Sequence, residues 1–61
     1  MKNYTATYEP QTVAGERGWW WKLFARRRLV AEGWTRGKKR EAELEVKTAI
    51  AARDTLLSFV A

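Results

Sequence analysis

The chain has 61 residues, 12 Lys and Arg against 7 Asp and Glu, a formal net charge of +5, and neither Cys nor His. That composition excludes disulfides, thiol chemistry, the usual zinc sites and a histidine general base, and no apolar run approaches the roughly 20 residues of a membrane span. The length allows one small basic domain, 1–61, whose bulk must come from four Trp, two Tyr and two Phe. A domain of this size buries only about 60% of the surface its unfolded chain exposes, so marginal stability is expected, and a homodimer would relieve it.

In chain order, the opening MKNYTATYEP lacks the apolar segment of a signal peptide, and a cytoplasmic location is the expectation. Within it, Tyr4, Ala6 and Tyr8 alternate with Thr5 and Thr7, which predicts a strand over 3–8. Glu9-Pro10 is expected to end that strand. Residues 9–18, punctuated by Pro10, Gly15 and Gly18, read as a loop. The short aromatic run 19–25 (WWWKLFA) predicts a second strand, and 28–34 (RLVAEGW) a third. The turn between them falls on Arg26-Arg27, which is poor chemistry for a two-residue hairpin, where Asn-Gly or Gly-X is preferred. From Lys38 or Lys39 the period lengthens. Ala42, Val46, Ala49, Ile50, Leu57 and Val60 recur at steps of three and four, the stripe of a C-terminal helix. Arg53 sits at its edge, Glu43 and Lys47 form an i,i+4 pair, and Thr35 is the expected N-cap. The predicted fold is α+β, a three-stranded antiparallel sheet packed on one C-terminal helix (β-β-β-α).

With an unbroken two-residue turn, one sheet face carries Trp19, Trp21, Leu23, Val30, Glu32 and Trp34. The other carries Trp20, Lys22, Phe24, Leu29, Ala31 and Gly33. One helix covers one face, and Trp21, Leu23 and Val30 are assigned to it. Trp20, Phe24 and Leu29 are then left near Lys22, Arg26 and Arg28 on an open face, unless loop 9–18 folds across them. The charge is clustered as well. Residues 22–40 hold eight cations against Glu32 alone, whereas the rest of the chain holds four basic and six acidic residues. Solubility charge is normally interspersed, and clustered cations suit a polyanion. Arg26, Arg27 and Arg28 offer guanidinium groups from a hairpin tip to phosphates or guanine edges. Arg36, Lys38, Lys39 and Arg40 crowd the start of the helix, where they oppose its dipole but suit a phosphate. Glu16, Glu32, Glu41, Glu43, Glu45, Asp54 and Ser58 form no catalytic or metal-binding constellation, so no enzyme, metal or cofactor is expected.

The segment GWWWKLFARRRLVAEGWTRGKKREAELEVKTAI resembles the repeat of the small bacterial YegP-like family. Trp19, Trp21 and Leu23 match its aromatic strand, Leu29-Val30-Ala31 its apolar strand, and Gly33-Trp34-Thr35 with Ala42-Glu43 its step into the helix. Arg26-Arg27 replaces the family's Asn-Gly turn, and the step is longer; the resemblance implies a fold and no defined activity. Over 19–53 the order of elements also resembles the three-stranded DNA-binding domains of plant ethylene-response factors and the arm-binding domains of tyrosine recombinases. That likeness implies an open face in the major groove, with Trp20, Arg28 and Val30 in the comparable region.

The expected function is non-enzymatic binding of nucleic acid, DNA in preference to RNA, through Trp20, Lys22, Arg26, Arg27, Arg28, Arg36, Lys38, Lys39 and Arg40. The alternative is a protein-interaction or self-assembling module using Trp20, Phe24 and Leu29, for example a phage-type accessory protein that inhibits a host factor. No membrane partner is expected.

Overall fold

The computed structural model describes the backbone over residues 3–60 and side chains over 3–56. Three strands, β1 (Tyr4–Val13), β2 (Glu16–Ala25) and β3 (Arg28–Arg36), form one antiparallel sheet in the order β1-β2-β3, and α1 (Lys39–Val60) follows. The β-β-β-α order and the α+β class are those expected from the periodicity. Leu57, Ser58 and Val60 lie outside the residues whose side chains are described.

The expected loop over 9–18 is instead almost all strand. Only Ala14-Gly15 turns, with φ of 52° and 79°, positive at both central positions as a type I′ hairpin requires. Pro10 is paired with Trp19 inside β1. It is tolerated because β1 is an edge strand and needs no ladder donor on its outer side. Gly18 is not a breaker either. It is buried beneath the Trp34 ring, and a Cβ there would lie 2.5 Å from both that ring and the Thr35 carbonyl oxygen.

The second hairpin closes through the two expected residues, Arg26 and Arg27. Arg26 and Arg27 have φ of 50° and 74°, a conformation that costs a residue with a Cβ roughly 1 kcal/mol or more. The strands then depart from simple alternation. Phe24 pairs with Leu29 but Leu23 pairs with Ala31, so Val30 is the extra residue of a β-bulge. The bulge moves every later side chain of β3 to the opposite face. Glu32 and Trp34, expected toward the helix, lie on the open face beside Lys22 and Trp20. Ala31 and Gly33, expected outside, lie on the helix face opposite Leu23 and Trp21.

The core sits between the sheet and α1. Trp21, Leu23, Ala42, Val46 and Ile50 are buried, with Tyr4, Ala6, Tyr8, Trp19, Val30, Ala31 and Ala49 packed around them. Trp21, Leu23 and Val30 therefore face the helix as expected. The Trp21 ring crosses β3 at Gly33, where a Cβ would come within 2.9 Å of it, and its indole N–H donates to Thr35 Oγ1 at 3.2 Å. That bond occupies the hydroxyl expected to cap the helix. The helix instead begins at Lys39 after Gly37 (φ 108°), whose N–H donates to the Arg17 carbonyl at 3.0 Å. The Glu41 amide closes the first turn on the Lys38 carbonyl at 2.9 Å. Among the described residues, no helix is long and apolar enough to cross a membrane.

Candidate nucleic-acid interface

The nine residues expected to bind nucleic acid do not form one surface. Arg26 and Arg27 are the tip of the β2–β3 hairpin, and Arg28 is the first residue of β3, opposite Ala25. Lys38, Lys39 and Arg40 lie past the other end of β3, at the start of α1. The eight steps of β3 between Arg28 and Arg36 put about 25 Å between these two cationic ends. Trp20 and Lys22 lie between them, on the face away from the helix.

That open face is aromatic but not basic. Trp20 and Trp34 are cross-strand neighbours, Phe24 pairs with Leu29, and Leu29 is 44% exposed. Among the described residues, the charged side chains paired onto this face are Lys22 and Arg36 against Glu9, Glu16 and Glu32. Arg36 is held by Glu16 at 2.9 Å. The expectation of a basic, aromatic sheet face is thereby corrected. The bulge at Val30 brings Glu32 to Lys22, and recovering β1 as far as Val13 adds Glu9 to the surface. Trp34 lies across Gly18 and donates its N–H to the Gln11 carbonyl at 3.0 Å, which ties all three strands together. Loop 9–18 does not fold over this face, because its residues are part of the sheet.

The end of the sheet nearest the helix start is more cationic than the sequence indicated. Arg17 pairs with Thr12 and shares a cleft of about 510 Å³ with Pro10, Trp19, Gly37, Lys38 and Lys39. Arg17 does not stand out in the sequence because 9–18 reads as a loop. Extending the alternation back from Trp19 and Trp21 through Arg17 is the signal that finds it. Lys39 lies 5.3 Å from the centroid of the Tyr8 ring, a cation–π contact that steadies its ammonium group at the rim. Arg40 turns the other way and helps line a groove of about 550 Å³ between β1 and the helix, floored by Leu23, Val46 and Ile50.

Arg17, Arg26, Arg27, Arg28, Lys38, Lys39 and Arg40 are all exposed. Arg36–Glu16 is the single ion pair among the described residues, so these seven cations have no carboxylate partner there. The Glu43–Lys47 pairing expected along the helix does not close to an ion pair. Two tyrosines are perturbed. Burial first, and then the hydrogen bond donated to Asp54 at 2.9 Å, raises the pKa of Tyr4. Burial first, and then the charge of Glu43, raises that of Tyr8. In both cases the shift favours the neutral hydroxyl. No group of three or more metal-ligating side chains occurs among the described residues. Comparison of the chain with family models, curated proteins and solved structures returns no match.

Proposed function

We propose that this domain binds nucleic acid, DNA in preference to RNA, through phosphates and without chemistry on the ligand. The observation that carries this reading is the set of seven exposed cations with no carboxylate partner among the described residues, gathered toward the two ends of the sheet. Arg17, Lys38 and Lys39 serve one end and Arg26, Arg27 and Arg28 the other, with Arg40 beside the helix start. The roughly 25 Å between the ends equals the rise of about seven base pairs, so both can touch one duplex. The open face is a poor surface for the groove, since its two cations face three carboxylates. Trp20, Lys22 and Arg36 are therefore secondary in this reading.

The test is a fluorescence-anisotropy titration with a 20-base-pair duplex across a range of salt. If about five phosphates are neutralised, log K falls against log salt with a slope near −4.5. Lys38→Ala/Lys39→Ala reduces the slope by about 1.8, and Arg26→Ala/Arg27→Ala/Arg28→Ala by about 2.7. An absence of binding at low salt, or binding without a slope, overturns the proposal. Tighter binding to an RNA duplex of the same length overturns the preference for DNA alone.

A further inference from the structure

We infer that the open face of the sheet is an interface for a second copy of this chain. This goes beyond the nucleic-acid reading and does not depend on it. Each copy carries a net charge of +5, so two copies repel over most of their surface. The open face differs, because Lys22 and Arg36 meet Glu9, Glu16 and Glu32 there. It is a surface of this chain that a second cationic copy can approach without accumulating charge.

The rows of β2 and β3 are also complementary to themselves. Lys22 is registered against Glu32, Trp20 against Trp34 and Phe24 against Leu29. A two-fold axis lying in the interface, parallel to the strands and midway between β2 and β3, sets β2 of one copy over β3 of the other. Each row then meets its own partner type. Lys22 lies over the second copy's Glu32, Trp20 over its Trp34, and Phe24 over its Leu29. In a two-fold interface each such contact occurs twice. Within one copy Lys22 and Glu32 do not close an ion pair although they are registered together, so both remain available to the other copy. The Gly18–Trp34–Gln11 arrangement holds the Trp34 ring flat across the face before any partner arrives, which reduces the ordering cost of association.

The face is small. Three strands make a surface about 14 Å wide and 30 Å long, less than the roughly 800 Å² per partner of a stable complex. The expected dimer is therefore weak and transient.

The experiment is sedimentation equilibrium of the full chain from 10 μM to 1 mM without nucleic acid, with circular dichroism to confirm folding of every variant. The wild-type mass rises from monomer to dimer across that range. Glu32→Lys and Lys22→Glu each set like charges against each other and weaken association about tenfold or more. The double variant Lys22→Glu/Glu32→Lys restores it to within about threefold. Leu44→Lys, on the exposed side of the helix, leaves it unchanged. A wild-type chain that stays monomeric at 1 mM overturns the inference. So does a dimer that either single charge change leaves intact, or one that Leu44→Lys disrupts.

Discussion

β2 presents a bulky residue at nearly every position, yet its two faces meet different surroundings. Toward the helix it shows Trp19, Trp21 and Leu23, and away from it Trp20, Lys22 and Phe24. Both faces use the same device, an indole from one strand laid over a glycine of its neighbour. Trp21 of β2 covers Gly33 of β3 on the helix side, and Trp34 of β3 covers Gly18 of β2 on the open side. The contexts differ. Trp21 is 8% exposed and hydrogen-bonds a side chain inside a packed wall. Trp34 is half-buried and bonds the backbone of the far strand. The helix face stores the stability of the domain, and the open face keeps its strands together while leaving aromatic surface available.

The sharpest way to test that division is to truncate matched residues on the two faces. Leu23→Ala should cost about 3 kcal/mol or more in chemical denaturation. In a domain this small that approaches the whole stability. Phe24→Ala, one residue along on the open face, should cost about 1 kcal/mol and leave the fold cooperative. Equal losses would erase the distinction. The glycines come next. A Cβ at Gly18 meets the Thr35 carbonyl oxygen, which is backbone and cannot swing aside, whereas a Cβ at Gly33 meets only the Trp21 ring at 2.9 Å. Gly18→Ala is therefore the worse substitution, at about 2–3 kcal/mol against about 1–2 kcal/mol for Gly33→Ala.

A smaller and opposite effect is expected at the hairpin tip. Arg26→Asn/Arg27→Gly relieves two unfavourable backbone conformations and should raise stability by about 1 kcal/mol. The same change removes two cations and should weaken binding to the DNA duplex. Gain of stability with loss of binding marks the arginines as present for a ligand; gain of stability with binding unchanged removes the tip from the proposed interface.

The smallest effect is in alkali. Raised tyrosine pKa values mean that the unfolded chain loses its phenolic protons first, near pH 10. The stabilisation is complete below that pH and declines as pH rises through the higher folded values. Tyr4→Phe/Tyr8→Phe should flatten the decline of Tm between pH 9 and 11 relative to wild type. An unchanged decline would assign alkaline sensitivity to other groups.

Much of the fold was legible because its signals are local. Tyr4-Ala6-Tyr8 shows a period of two, and Ala42-Val46-Ala49-Ile50 the helical stripe. What escaped depends on contacts distant in sequence. Gly18 reads as a breaker until Trp34 is seen across it. Thr35 reads as a cap until Trp21 takes its hydroxyl. The bulge at Val30 carries no glycine or proline to announce it, and one unsignalled residue reverses the facing of Glu32 and Trp34. For the candidate site, the cations themselves were visible as a cluster in the chain. Their separation to two ends of the sheet, and the contribution of Arg17, required the strand boundaries.

The bulge has one more consequence. A three-stranded sheet that never closes has two raw edges, each a template onto which another chain can add a strand. Val30 breaks the regular hydrogen-bonding rhythm of β3, and Pro10 interrupts that of β1 with a residue lacking an N–H. Both margins are thus spoiled for runaway strand addition. Association of this sheet, whose strands carry six half-buried aromatics among the described residues, is steered away from fibrous growth along its borders.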